Sequence, residues 1–352
     1  MKTPLKWPGG KEKELPIIRR YIPDYTGRYI EPFVGGGAVF FDVETPQCCI
    51  NDRAPELINL YRCVADRDDD LIEFLHMEQE EFDSISTFVD EHTDDILQLY
   101  HLEISIEAFI EEHRDYFTSL ADGFNDVFLR ELARNLKSKI TRSQKLEQEN
   151  GGIPDTDRID NIESAIKSAY YMFVRYLQNH LSLLTPGRQA AVFFFIREYC
   201  YSSMFRYNSH GEFNVPYGGI SYNRKDFQRK VEYLLSDEMN DKLQNADIHC
   251  EDFEDFINAL NLNENDFVFL DPPYDSDFST YAQNEFGRAE QIRLCECLRR
   301  TPARILLVIK NTDFIYDLYK HDFNIISFDK SYLVSFMNRN DRRAEHLIIT
   351  NY

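Results

Sequence analysis

Four apolar residues, Phe267 to Leu270, run straight into Asp271-Pro272-Pro273-Tyr274, and no other stretch of the 352-residue chain constrains its fold as tightly. A short apolar run stopped by two prolines reads as a central strand, because proline supplies no N–H to continue a ladder. The strand ends on a carboxylate, a rigid turn and an aromatic ring. That is unusual chemistry for a plain turn.

Similar runs flank it. "RYIEPFV" is a short strand ending at Gly35-Gly36-Gly37, and "AVFFDVE" is expected to resume as a helix. "CCIND" reads as a second strand and "APELINLYRCV" as a second helix. Strand, glycine turn, helix and strand open a doubly wound, mostly parallel α/β sheet. "GKEKELPIIRRYI" is expected to be helical, with Leu15, Ile18 and Ile22 on one face. From about residue 242 the rhythm returns: "NADIHCEDF", "DFVFLDPPY", "ARILLVIKN", "FNIISFD" and "AEHLIIT" are strands, and "FEDFINAL" and "NEFGRAEQIRLCECLRR" are helices. Between the two stretches the periodicity is helical, and "QENGGIPDTDR" (148–158) is its clearest linker. The expected division is 1–65 with 242–352 as an α/β catalytic domain, and 66–241 as a helical insertion.

Charge follows that division. The formal net charge is −22. Residues 66–126 hold twenty acids against two bases, whereas the rest holds forty-one against thirty-seven. The acidity therefore does not bar nucleic acid from a groove elsewhere on the chain. The seven cysteines lack zinc-site spacing and read as reduced cytosolic thiols. No metal and no membrane segment is expected, and a cytoplasmic protein is.

The glycine turn and the next strand end point to a nucleoside-type ligand. Glycine allows close backbone approach. Asp52 follows Gly35 by seventeen residues, where a carboxylate can bind ribose hydroxyls. The loop carries no basic residue and no G-K-[ST], so a nucleoside without phosphates fits better than a triphosphate. S-adenosylmethionine is such a ligand. Asp252, ending the third strand, can accept from an adenine amino group, and Phe253 can pack on the ring.

Asp271 falls at the same edge of such a sheet. Its carboxylate and the Pro272 carbonyl can converge on one amino group, and Tyr274 offers a stacking face. Acceptors on the two hydrogens of an exocyclic amine raise electron density on nitrogen and stabilise the charge that develops as it attacks a methyl group. Such an amine in duplex DNA must first be flipped out.

With these residues assigned, the chain resembles the Dam-type DNA adenine-N6 methyltransferases, the D12 class in the α group. "LKWPGGK" (5–11), "EPFVGGGAVFF" (31–41), "NDRAPELINLY" (51–61), "RYNSHGEFNVPYGG" (206–219) and "DPPY" (271–274) carry the resemblance, in the family's order. It implies a Rossmann-like class I methyltransferase fold with an inserted helical DNA-recognition domain. It implies S-adenosylmethionine held by Trp7, Lys11, Glu31, Phe33, Gly35, Gly37, Asp52, Asp252, Phe253 and Asp271. Catalysis is implied at Asp271, Pro272, Pro273 and Tyr274, and double-stranded DNA at Tyr201, Ser202, Arg206, Asn208 and Asn214. Ser202 and Gly219 depart from the pattern of members that read G-A-T-C, which leaves the recognition sequence open. The residues alone also admit an RNA or cytosine-N4 substrate, or a non-catalytic binding module. The acidic segment reads first as a solvated helical insertion; a sharper reading has it repel phosphate and orient the duplex, or dock a protein partner such as a restriction endonuclease.

Overall fold

Seven strands form one sheet in the order β3-β2-β1-β4-β5-β7-β6, in a computed structural model that describes residues 1–121, 123–274, 286–331 and 343–352. In chain order the elements are α1 (Leu15–Ile18), β1 (Tyr29–Glu31), β2 (Cys48–Asn51), α2 (Pro55–Asp66), α3 (Asp69–Glu91), α4 (Thr93–Tyr100), α5 (Ile106–Glu112) and α6 (Arg114–Ser119). There follow α7 (Asn125–Asn150), α8 (Asp155–Gln178), α9 (Pro186–Tyr199), α10 (Phe227–Leu234), α11 (Asp237–Gln244), β3 (Ala246–His249) and α12 (Phe253–Ala259). The chain closes with β4 (Phe267–Leu270), α13 (Arg288–Arg300), β5 (Arg304–Lys310), α14 (Asp313–Tyr319), β6 (Asn324–Ser331) and β7 (Arg343–Thr350).

The chain divides into two units: 1–66 with 236–352, and 67–235. The first unit holds the whole sheet. Strands β1 to β5 pair in parallel, and β7 pairs antiparallel with both β5 and β6. Every residue of β1, β2 and β4 is buried. Parallel strands covered on both faces need such unbroken apolar runs. The architecture is mixed α/β with a parallel-dominated sheet, consistent with a methyltransferase fold. The register pairs Tyr29 with both Cys48 and Phe267, so the carboxyl ends of β1, β2 and β4 lie along one edge. The second boundary falls at 235/236 because α11 packs on α2; Asn240 Nδ2 donates to the Val64 and Ala65 carbonyls at 2.8 and 2.9 Å.

The second unit is helical. The long pair α7 and α8 packs together, and α8 also packs on α9. Gly151, at φ +93°, caps α7, and Pro154 caps α8. The expected linker 148–158 thus reduces to a tight connection, 151–154, between α7 and α8 inside one unit.

Two expected helices shrink. "AVFFDVE" forms turns, with Phe41 N donating to the Gly37 carbonyl and Val43 N to the Val39 carbonyl. Val39, Phe40 and Phe41 are buried in succession while only Asp42 to Glu44 reach solvent, so exposure does not follow the alternating face an amphipathic helix needs. The helix at 10–22 is only Leu15–Ile18. Past Ile18 the bonds tighten to i→i+3, and Pro23 bars Ile22 from helical geometry. No helix among the described residues is long and apolar enough to cross a membrane.

Candidate active site

The turn after β1 is shaped by what presses on it. Gly35 has φ +46°, and a Cβ there would lie 2.7 Å from Trp7 Cδ1. Gly36 lies equally tight against the Trp7 Cβ. A side chain at Gly35 would collide with the indole, and one at Gly36 with the Trp7 Cβ. Asp52, just past β2, ties the turn down. Its Oδ2 accepts from Gly35 N and its Oδ1 from Ala54 N, both at 2.9 Å. The Tyr61 hydroxyl donates to the Gly35 carbonyl at 2.8 Å. Burial pushes the Asp52 carboxyl up from its ordinary range, against the pull of the N–H groups of Ala54, Gly35 and Arg53.

Glu31 closes β1 and is buried; Tyr29 Oη donates to its Oε2 at 2.5 Å. Burial pushes its carboxyl well above the usual carboxylate range, and Asp271 and Asp52 add to the push. Asn51 cross-links neighbouring loops, donating to the Pro32 and Glu251 carbonyls and accepting from Glu251 N.

Asp252 is more committed than its sequence context suggests. Its Oδ1 accepts from Glu254 N as the cap of α12, and its Oδ2 accepts from Arg293 Nη2 at 2.6 Å. The Phe253 ring is buried between Phe33 and Phe286, with the Arg293 guanidinium 4.5 Å from its centroid. Phe33 is only half-buried, so it is the ring of this trio with a face toward solvent.

The motif after β4 is held by side chains from three remote segments. Lys11, 2% exposed, donates through Nζ to Asp271 Oδ1 and, at 2.9 Å, to the Gly9 carbonyl. The same ammonium lies 5.3 Å from the centroid of the Tyr274 ring. Gln291 on α13, fully buried, donates to the Pro273 carbonyl at 2.9 Å. His346 on β7, also fully buried, pairs through Nε2 with Tyr274 Oη at 3.2 Å. The Pro272 side chain is buried and Pro273 is exposed. Asp271 is thus aimed from one side, and the Tyr274 ring is pinned at its hydroxyl. Among the described residues no three His, Cys, Asp or Glu side chains gather to hold a metal.

In the second unit, the segment after α9 is irregular. Cys200 bridges to Tyr217, and Tyr207 to Phe213. Asn208 builds the tight turn between: its Oδ1 accepts from His210 N and Glu212 N at 2.9 and 3.0 Å. Arg206 Nε donates to Asn214 Oδ1 at 2.8 Å and Arg206 Nη2 to the Asn214 carbonyl at 2.9 Å. Tyr201, 43% exposed, and Ser202 lie on the surface.

The description "D12 class N6 adenine-specific DNA methyltransferase" matches residues 7–333. The chain belongs to this family. Across the whole of both chains it is 28% identical to the type II methyltransferase M.CviBI of Paramecium bursaria Chlorella virus NC1A. It is also 28% identical to M.MjaIII of Methanocaldococcus jannaschii, over 99% of this chain and 98% of that one. It is 25% identical to the DNA adenine methylase of Serratia marcescens, over 90% and 86%. Family members generally use S-adenosylmethionine, and DNA is the family's substrate.

In this D12 methyltransferase the ends of β1, β2 and β4 lie along one edge, as expected from the sequence, with supports that were not expected. Lys11 bonds directly to the Asp271 carboxylate rather than only flanking a cofactor. Gln291 and His346 were not anticipated. A histidine inside the apolar run "AEHLIIT" was the available signal for one of them.

Proposed function

We propose that the first unit binds S-adenosylmethionine at the carboxyl ends of β1, β2 and β3 and methylates N6 of an adenine held by Asp271–Tyr274. The observation that carries this reading is the aimed Asp271 carboxylate, fixed by buried Lys11 at the edge where Glu31 and Asp52 also end. The donor set fits the group. The edge offers carboxylates and a glycine turn packed on Trp7, with no base in the loop, which suits a sulfonium, an α-ammonium and ribose hydroxyls rather than phosphate. When bound, S-adenosylmethionine supplies an electrophilic methyl on sulfur. A cationic ligand beside Glu31 would draw its carboxyl back toward the charged form.

The chain's own groups do the rest. Asp271 Oδ2 and the Pro272 carbonyl accept from the two amine hydrogens and stabilise positive charge on nitrogen. Tyr274 stacks on the flipped base, its hydroxyl already held by His346. With cofactor and base held on one edge, the attack would be effectively intramolecular. The helical unit, 67–235, serves as the DNA-recognition insertion, with Tyr201, Ser202 and Arg206 facing the duplex and Asn208 and Asn214 shaping that surface. Its acidic part, 66–126, faces away from phosphate or meets a protein partner.

Single-molecule sequencing of a plasmid expressed with the protein tests the reading. N6-methyladenine is expected within one short recurring sequence, and its absence from every sequence would overturn the assignment.

A further inference from the structure

We infer that Arg197, buried at the end of α9, holds the turn 201–204 in the shape that discriminates between DNA sequences. The inference rests on the reading that Tyr201 and Ser202 face DNA.

The turn is held in a costly backbone shape. Ser202 has φ +53° and Ser203 φ +51°, two consecutive non-glycine residues in the left-handed region. Serine adopts that region far less readily than glycine or asparagine. Such a pair persists only where surrounding structure over-determines it, and strained backbone of this kind clusters at functional sites.

Arg197 supplies the constraint. It is 1% exposed. Its Nη2 donates to the Ser203 carbonyl at 2.6 Å and its Nη1 to the Met204 carbonyl at 3.1 Å. Its guanidinium lies 3.7 Å from the centroid of the Phe205 ring. One planar group therefore grips two successive carbonyls and a ring from beneath the turn. A guanidinium does this because its donors sit in a fixed fork and its face stacks; an ammonium does neither. Two further contacts frame the turn: Ser202 N donates to Tyr222 Oη at 3.2 Å, and Ser203 N to the Cys200 carbonyl at 3.1 Å. The result is a rigid platform presenting the exposed Tyr201 and Ser202 side chains. A reading residue discriminates only as well as its position is fixed, since a mobile one relaxes to suit the wrong base pair.

Arg197 is a positioning residue, so its test must move something that loss of packing alone does not. The readout is the discrimination ratio: kcat/KM on the duplex mapped by sequencing, divided by kcat/KM on duplexes with one base pair changed. Arg197→Lys keeps the charge and loses the fork; the ratio is expected to fall about tenfold or more at one position at least. Ser203→Gly is the second variant, because glycine takes the left-handed shape freely and keeps the fold. It is expected to leave Tm equal or higher while the ratio falls several-fold, and it decides alone if Arg197→Lys does not fold. A ratio within twofold of wild type in Ser203→Gly and in any folded Arg197→Lys would overturn the inference, whatever happens to Tm. Tyr201→Ala separates the two readings. If it lowers kcat/KM or the ratio while the other variants leave the ratio unchanged, only the role of Arg197 fails. If it changes neither DNA affinity nor ratio, the DNA-facing reading fails and takes this inference with it.

Discussion

The two units bring together the residues proposed to be functional in opposite ways. In the first, Lys11, Asp52, Asp271, Gln291 and His346 come from across the chain to one edge of a sheet. The partners Lys11 and Asp271 are 260 residues apart in sequence. In the second, Arg197, Tyr201, Ser202, Arg206 and Asn214 lie within eighteen positions, and short-range bonds hold them. On the proposed function, global topology positions the chemistry and local backbone shape positions the address. Changes in the first unit should therefore scale methylation of every sequence alike, while changes at 197–214 should alter which sequences are methylated.

The sharpest way to break that contrast is Asp271→Ala. Methyl transfer should fall by roughly 10²- to 10³-fold on all duplexes, with cofactor affinity retained, as seen by single-turnover kinetics and calorimetry. An active variant, or one whose sequence preference shifts, would defeat it. Tyr274→Ala comes next. Loss of base stacking should lower kcat/KM about ten- to a hundredfold, uniformly across sequences. Tyr274→Phe should cost much less, since it keeps the ring and removes the hydroxyl that bonds His346. In that background, changing His346 to Phe should add little, and fully additive effects would show that the bond is irrelevant.

Smaller effects concern stability. Gly35→Ala should destabilise by about 1–3 kcal/mol, because alanine pays for φ +46° and its Cβ meets Trp7. A Tm within one or two degrees of wild type would mean the indole moves aside freely. The smallest effect is a pH dependence. Glu31 holds its proton more tightly when folded, because burial raises its carboxyl above the usual range. The unfolded chain loses that proton first as pH rises, so this residue costs stability progressively above an unfolded value of about 4.3, up to its raised folded value. Glu31→Gln should therefore gain Tm relative to wild type as pH rises through that window. A gap that narrows with rising pH would reverse the assignment of cause.

Much of this was legible in the sequence, and for physical reasons. Apolar runs that end on carboxylates or glycines mark strand ends, and parallel topology gathers such ends on one edge. That logic found Asp52 and Asp271 without any knowledge of their contacts. It did not find Gln291 or His346, which act from within a helix and a strand and carry no turn signal. Nor did it foresee that Asp252 spends its oxygens on Arg293 and the α12 cap, since arginine–carboxylate pairing across forty-one positions leaves no local trace. The helix expected at "AVFFDVE" failed because apolarity alone does not distinguish a buried turn from a buried helix. In the second unit, a strained pair of serines has no sequence signature at all.

The Lys11–Asp271 contact has a consequence in time as well as in space. During synthesis the lysine emerges before the helical unit and its carboxylate partner only after it, and the histidine that bonds Tyr274 comes later still. A chain that has emerged only as far as residue 235 carries every residue of the helical unit but lacks Asp271, Gln291 and His346. On the proposed function, the order of residues along the chain completes the methylating edge only after every residue of the helical unit has been made.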